Sequence, residues 1–240
     1  MPREPILVRA FVELADTLVD DFDVVDLLTV LADRCLDVLD VEAAGIMLVD
    51  VGGDLRVIAS SSEAMQLVEA FEIQAQEGPC LDCFRFSEPV LNEQLAETGD
   101  RWPRFTVEAQ RAGFRTVHAL PMRLRGTVIG ALNLFNTEEG RLQAEDVEVA
   151  QALADVATIA ILQHRATLEA QVLNEQLAGA LNTRIAIEQA KGMVAEGEGL
   201  SVEQAFERLR GHARRHRLRL IEVARSVIEG ELLASELDPL

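Results

Sequence analysis

The only lysine of the chain, Lys191, stands between Ala190 and Gly192 in a stretch whose pattern is otherwise typical of a helix. A lysine ammonium is a compact charge on a flexible stem and binds phosphate groups well, whereas an arginine can also bind two oxygens at once or stack on a base. A glycine beside such a charge allows another backbone to approach closely. This triplet is therefore a candidate binding site for a polyanion.

Arginines extend the candidate site on both sides of the lysine. Arg184 precedes Lys191 by seven residues, which places the two side chains within about 20° of each other on a helix. Further along the chain, three arginines follow one another at spacings of four and three residues, which predicts a second cationic line: Arg210, Arg214 and Arg217. The alternative interpretation of these residues is a solvated helix face, with Gly192 as a helix-packing contact.

Cysteines form a second candidate for chemistry, because Cys80 and Cys83 have the C-x-x-C spacing of a redox pair or of half a metal site. A structural zinc site needs four ligands, and we identify no second C-x-x-C and no H-x₃-H pair. Cys35 and His118 would complete a set only if the fold gathered them, so we predict no metal and no cofactor. Cys80 follows Pro79 at a predicted helix start, where a cysteine is often a small buried side chain. We favour that interpretation, with redox sensing or cysteine-dependent catalysis as the alternative.

Other catalytic patterns are missing from the sequence. It contains no nucleophile elbow, no zinc-protease motif, no P-loop and no glycine pattern for a dinucleotide. We therefore predict that the protein is not an enzyme.

Charge divides the chain unevenly. Residues 1–180 contain 13 arginines against 31 Asp and Glu, whereas residues 181–230 contain nine Lys and Arg against seven Glu. A basic segment on an acidic protein favours a polyanionic partner for that segment. No stretch approaches the roughly 20 apolar residues of a membrane span, and three cysteines do not make a secreted disulfide framework. We predict a cytoplasmic protein that does not interact with membranes.

The elements that must position these residues can be predicted from hydrophobic periodicity. Two amphipathic helices come first, over "ILVRAFVELADTLV" and "VVDLLTVLADRCLDVL", with an N-cap supplied by "DDFD". A hairpin that turns at Gly52 and Gly53 follows, then a helix over "EAMQLVEAFEIQAQ" and strands over "PVLNEQL", "FRTVHALPMRL" and "TVIGALNLFN". The pattern predicts an α+β domain with an antiparallel sheet over residues 1–145.

A long helix is predicted next, because some forty residues without proline follow the last strand. We assign residues 146–180 to a connecting, coiled-coil-like helix. Its apolar side chains drift between heptad registers: Leu168, Val172, Leu173, Leu177 and Leu181. The interpretation is a helix that forms a homodimer, and packing onto the protein's own N-terminal helix is the alternative.

Three short helices are predicted within residues 181–240. The first ends at Gly197 or Gly199, and Ser201 with Gln204 forms a capping box for the second. The buried stripe of the second helix is predicted to comprise Phe206, Leu209 and Ala213. Helices of this length form a small three-helix bundle.

The first domain resembles the GAF-type sensor domains of actinobacterial regulators. The likeness covers residues 25–165 and is carried, in order, by "EGPCLDC", "RWPRF", "GFRTVHALPM" and "GTVIGALNLFN". It implies a central antiparallel sheet with helices on one face, and on the other a pocket for a small molecule that the sequence does not identify. Cys83 departs from the small residue that is usual in the family.

The last domain resembles the ANTAR domain, an RNA-binding module of transcription antitermination regulators, over residues 175–230. The shared pattern includes Arg184, Ile187, "AKG" at 190–192, Ala205 with Phe206, Leu209 with Arg210, and Val223 with Ala224. The resemblance, together with the spacing, implies that hairpin loops of nascent RNA bind to Arg184, Ala190, Lys191, Gly192, Arg210, Arg214 and Arg217. Ala213 and Arg217 stand where the family commonly has Ser and Asn.

These observations together predict a cytoplasmic, homodimeric regulator that binds nascent RNA to control transcription termination, with a GAF domain as its sensory input. Two other functions remain as alternatives. One is a helix-turn-helix protein that reads duplex DNA, although the second predicted helix of the bundle begins with acidic residues. The other is a cysteine-dependent redox sensor or enzyme built on the GAF domain.

Overall fold

The computed structural model describes residues 3–16 and 23–238. Its contacts divide the chain into two compact units, Met1–Arg165 and Ala166–Leu240. The sequence-based boundaries after residues 145 and 180 set the long helix apart as a segment of its own. The contacts instead divide that helix between the two units.

The first unit is built on a five-stranded antiparallel sheet in the order β2-β1-β5-β4-β3. The strands are β1 (Ala43–Val49), β2 (Leu55–Ser60), β3 (Val90–Gln94), β4 (Thr116–Leu124) and β5 (Thr127–Asn136). Gly53 supplies the positive φ of +89° at the turn between β1 and β2, and Arg125 takes φ +56° at the turn between β4 and β5. The predicted α+β class and antiparallel sheet are confirmed.

Helices cover both faces of this sheet. They are α1 (Arg3–Asp16), α2 (Val24–Val38), α3 (Glu63–Ala75), α4 (Pro79–Phe86) and α5 (Pro103–Arg111). The side chains of α1 and α2 share one core with one sheet face, and those of α3, α4 and α5 share a second core with the other face. The predicted N-cap is Asp23, which accepts a hydrogen bond of 2.7 Å from the Val25 N–H. Residues 17–22, which include the rest of "DDFD", lie outside the described residues.

Helix α6 (Ala144–Glu198) is 55 residues long and contributes to both units. Within the first unit it buries a face of small and apolar side chains in the same core as Ala10 and Leu14 of α1: Ala150, Leu153, Ala154, Ala157, Ala160 and Ile161. This part of α6 therefore belongs to the core of the first unit. Between residues 168 and 181 the leucine and valine side chains are exposed, with fractions from 45% at Leu168 to 60% at Leu177.

In the second unit, α6 continues to Glu198 and is followed by α7 (Val202–His216) and α8 (Leu220–Glu229). The predicted first short helix is therefore the end of α6 and not a separate element. It stops where Gly199 adopts φ +64°. The capping box of α7 is confirmed, since the Ser201 N–H donates to Gln204 Oε1 at 2.9 Å and the Gln204 N–H donates to Ser201 Oγ at 3.2 Å.

One apolar core holds the second unit together. It comprises Ala190, Val194, Ala205, Leu209, Ala213, Val223, Ala224, Val227 and Leu237. The prediction that Phe206 joins this core is wrong, because Ala205 occupies the buried position and Phe206 is only partly buried. None of the described helices combines the length and the hydropathy that crossing a membrane requires.

Candidate nucleic-acid interface

Lys191 is held between two helices of the second unit. Its Nζ donates hydrogen bonds to both carboxylate oxygens of Glu188, at 3.0 and 2.9 Å, and lies 5.4 Å from the centre of the Phe206 ring on α7. Only 15% of the lysine side chain is exposed. The ammonium therefore has a fixed position over an aromatic face, where a cation–π attraction stabilises it.

Phe206 connects this lysine to the arginines of α7. Phe206, Arg210 and Arg214 are four residues apart in turn, so each lies about 40° around the helix from the one before it. Because Lys191 lies over Phe206, the cationic line of α6 meets the stripe on α7. We call Arg184, Lys191, Phe206, Arg210 and Arg214 the cationic surface.

The arginines of the cationic surface are accessible. Arg184 and Arg214 are exposed, and neither has an ion-pair partner in the part of the chain that the structure describes. Arg210 is 44% exposed, and its Nη1 lies 3.4 Å from Glu207 Oε1. Exposed ion pairs of this kind contribute about 0–1 kcal/mol. A phosphate can therefore displace Glu207 from Arg210 at little cost.

Gly192 leaves open space on this side of α6. A Cβ built at this position would meet no atom within 4 Å, so the glycine is not a helix-packing contact between the described residues. Glycine in an exposed helix interior costs about 1 kcal/mol relative to alanine. A residue that lowers the stability of its helix and packs against nothing is consistent with a site for a partner's backbone.

The structure corrects two other residues of the predicted set. The side chain of Ala190 is fully buried in the core of the second unit, so it cannot contact RNA. Arg217 is exposed, but it is the C-cap of α7 with φ +55°, in the left-handed region. Helical spacing therefore does not align Arg217 with Arg210 and Arg214.

Three further arginines of the basic segment have structural partners. Arg208 is 13% exposed and donates to Glu198 Oε2 at 2.9 Å and to the Leu237 carbonyl at 3.0 Å. Arg215 pairs with Asp238, and Arg219 pairs with Glu222 at the start of α8. The charge count of the segment thus overstates the number of arginines that are available to a ligand.

In the first unit, Cys80 and Cys83 are both fully buried in the core beneath α4. Burial raises the pKa of Cys83 to about 12, and burial together with the nearby Glu72 raises the pKa of the Cys80 thiol well above its usual value. A reactive cysteine needs a lowered pKa and access to its partner. These surroundings favour the core interpretation of the C-x-x-C spacing.

The same core holds two carboxyl groups that the sequence analysis missed. Asn133 Nδ2 donates to Glu69 Oε1 at 3.3 Å, and the N–H groups of Cys80 and Leu81 donate to Glu72 Oε1 at 2.7 and 3.1 Å. Burial raises the pKa of Glu69 to about 7 and that of Glu72 to about 8. The sequence did contain a signal for their burial. Glu69 and Glu72 follow Met65 by four and seven residues, which places all three on the same face of the helix.

A cavity of about 400 Å³ lies at the sheet edge formed by β2, beside the junction of α3 and α4. Its walls combine apolar and cationic side chains, among them Leu55, Arg56, Ile73, Leu81, Phe84 and Arg85. This volume lies within the range of small-molecule sites. The α3–α4 junction therefore has room for a small molecule.

The sequence patterns of two families match the chain. The GAF domain pattern matches residues 23–162, and the ANTAR domain pattern matches residues 175–228. No curated protein matches the chain.

Solved structures are similar in fold to about two thirds of this chain. A GAF domain from the Acinetobacter phosphoenolpyruvate-protein phosphotransferase is 17% identical with a TM-score of 0.52, over 68% of this chain and 93% of that one. The free methionine-R-sulfoxide reductase from Neisseria meningitidis, in complex with its substrate, is 17% identical with a TM-score of 0.53, over 69% and 91%. Part of a methyl-accepting chemotaxis protein is 18% identical with a TM-score of 0.51, over 66% and 98%. At these identities the likeness establishes the fold alone.

Proposed function

Because the chain belongs to the GAF domain family and carries a C-terminal ANTAR domain, we propose that it binds hairpin loops of nascent RNA and thereby controls transcription termination in response to a signal. The two domains make it a regulator of signal transduction and transcription. The RNA target and the antitermination mechanism are the proposed part. From this proposed partner we infer that the protein acts in the cytoplasm.

The single observation that carries the proposal is the composition of the cationic surface. It combines exposed arginines with a partly exposed aromatic ring, Phe206, over which Lys191 is held. Proteins that recognise RNA by sequence bind unpaired bases, which stack on aromatic rings and guanidinium planes while cations contact the phosphates. A partly exposed aromatic ring does not increase solubility, so its presence favours a binding role for this surface.

Duplex DNA fits the same surface less well. Reading a major groove requires base-contacting side chains near the start of a recognition helix. The exposed residues at the start of α7 are Val202, Glu203 and Gln204, and Gln204 is occupied by the capping box. The acidic Glu203 would face the phosphates.

Dimerisation and sensing complete the proposal. The exposed apolar side chains of α6 after residue 165 pair with those of a second copy. A contiguous apolar surface exposed to water is unfavourable, and dimerisation buries it. The input ligand occupies the cavity beside α3 and α4, and the buried cysteines have no catalytic role. The ligand acts by binding one arrangement of the dimer more tightly than another.

The test compares the full chain with hairpin RNA, with the same RNA sequence unpaired and with duplex DNA. Tightest binding to the hairpin supports the proposal, and tightest binding to duplex DNA contradicts it. Replacing Arg184, Arg210 and Arg214 with Gln should abolish hairpin binding at moderate salt. A matched triple variant of exposed arginines in the first unit, Arg111, Arg115 and Arg141 to Gln, makes the same change in net charge and should bind as the parent does.

A further inference from the structure

Two histidines of α7 and one aspartate of the chain's tail meet in the second unit. His212 Nδ1 lies 3.2 Å from Asp238 Oδ2, and His216 Nε2 lies 3.3 Å from the same oxygen. The three ligand atoms all lie within 4.8 Å of one another. We propose that these side chains bind a divalent transition-metal ion of the zinc class, which fastens the tail to α7.

The spacing of the ligands fits such an ion. Histidines four residues apart share one helix face, which is the arrangement by which helical H-x₃-H pairs bind zinc. Bonds of about 2.0–2.2 Å in a tetrahedral site place neighbouring ligand atoms about 3.3–3.6 Å apart. Both nitrogen–oxygen distances, 3.2 and 3.3 Å, are close to this range, and the two nitrogens lie within 4.8 Å of each other. The prediction of no metal started from the cysteines and overlooked this histidine pair, whose third ligand is 22 residues further along the chain.

Asp238 Oδ2 needs a partner. This oxygen is buried and accepts no hydrogen bond from any described residue. Leaving a buried acceptor unpaired carries a free-energy cost, and a cation at this position removes it. His212 Nδ1 accepts a long hydrogen bond of 3.5 Å from the Asp238 N–H. This nitrogen has a single lone pair, so the long hydrogen bond must be given up when His212 Nδ1 binds the ion.

Neighbouring groups hold the ligands in place before any ion binds. Arg215 Nη1 lies 3.2 Å from the other carboxylate oxygen of Asp238. The preceding residue, Leu237, is buried in the core, and its carbonyl accepts a hydrogen bond from Arg208. Such outer contacts orient metal ligands and raise affinity. His216 remains 52% exposed, so the ion can enter from solvent and complete its coordination with water.

The donor set selects the class of ion. Two imidazoles and one carboxylate suit zinc and its transition-metal neighbours, whereas magnesium and calcium prefer oxygen ligands alone. The competing explanation for the cluster is an ion-pair network in which protonated histidines neutralise Asp238. That network would bind no metal, so the two explanations predict different results when Zn²⁺ is added to the protein.

The experiment titrates the full, tag-free, metal-stripped chain with Zn²⁺ by calorimetry. The expected result is saturable binding of one Zn²⁺ per chain, with no binding of Mg²⁺. His216→Gln and Asp238→Asn should each weaken Zn²⁺ binding by about tenfold or more, because even the loss of outer contacts costs about 10–100-fold. The control His164→Gln removes an imidazole of the first unit and should bind as the parent does.

A second measurement does not depend on variants. Co²⁺ added to the parent chain should give visible d–d absorption bands that Zn²⁺ abolishes by competition, together with a higher melting temperature of the metal-bound chain. Circular dichroism establishes that each variant retains its helices. Absence of saturable Zn²⁺ binding by the parent, or equal binding by the parent and both ligand variants, would overturn the proposal.

Discussion

The ammonium of Lys191 lies 5.4 Å from the centre of the Phe206 ring while both oxygens of Glu188 hold it by hydrogen bonds. This relationship joins α6 to α7 at the centre of the cationic surface. It also means that a phosphate must displace Glu188, or share the lysine with it. The affinity for RNA therefore depends on a carboxylate as well as on the cations.

Removing that carboxylate should strengthen RNA binding. We expect Glu188→Gln to raise hairpin affinity by about 1.4- to 2.3-fold at low salt, since a helical ion pair three residues apart contributes about 0.2–0.5 kcal/mol. Lys191→Ala should weaken binding and reduce the slope of log affinity against log salt by about 0.7–0.9. Fluorescence anisotropy over a salt series measures both. Glu196→Gln, on another face of α6, is the control with the same change in charge, and an equal gain from it would contradict a specific role for Glu188.

Phe206 should contribute through stacking. Phe206→Ala should weaken the binding of hairpin RNA by about 1–3 kcal/mol, the range for one base stacked on an aromatic ring. Phe206→Trp should retain binding. The melting temperature should change little, because Phe206 lies outside the core of the second unit. A large loss of stability with unchanged RNA affinity would show that the ring only packs, and Val202→Ala on the same helix controls for apolar loss.

Gly192 should separate stability from binding. Gly192→Ala should stabilise the chain by up to about 1 kcal/mol, because alanine is the better helix former and its Cβ meets no neighbour. The same change should reduce RNA affinity if the RNA backbone approaches here. Gly179→Ala is a matched control, since that glycine is also in α6 with open space around it. It should stabilise the chain without affecting RNA binding. Equal RNA affinity of both variants would exclude a close approach at Gly192.

The exposed stripe of α6 should form the dimer. Analytical ultracentrifugation of the parent should show a dimer at micromolar concentration, and Leu168→Asp with Leu177→Asp should give monomers. The first unit should remain folded, since both leucines lie outside its core. A control that places Asp at Leu67 and Val107, exposed apolar residues of the first unit, should remain dimeric. A parent chain that is monomeric at this concentration would contradict the proposed dimer.

Stability of the first unit should fall as pH rises. The buried Glu69 and Glu72 have pKa values raised to about 7 and about 8 from an ordinary 4.5, so the folded state binds more protons than the unfolded state between these limits. The free energy of unfolding therefore decreases from about pH 5 to pH 8. Glu72→Gln should stabilise the chain at pH 8 by about 1 kcal/mol or more and have little effect at pH 5. Calorimetry at the two pH values measures this, with the exposed Glu88→Gln as control. An equal effect of Glu72→Gln at both values would show that the carboxyl does not titrate in this range.

Local patterns in the sequence determined most of the elements. Alternation and turn residues predicted the strands of the sheet, and Ser201 with Gln204 predicted the start of α7, because these signals depend on residues close together in the chain. The α5 helix was missed. The boundary predicted after residue 180, between the long helix and the first short helix, does not exist, since α6 continues through it to Glu198. The cationic residues could likewise be named from the sequence.

Packing between distant segments decided the rest. Ala205 and Phe206 are adjacent, about 100° apart on α7, and periodicity allows either to face the core. The core of the second unit accepts the small side chain, which leaves the ring beneath Lys191. In the same way, glutamate is a residue type that usually lies on the surface, so the sequence does not indicate that Glu72 is buried. Asp238 belongs to a tail whose sequence has no helical pattern. Each gains its role from atoms brought near it by the tertiary structure, and no pattern within one segment specifies which atoms those will be.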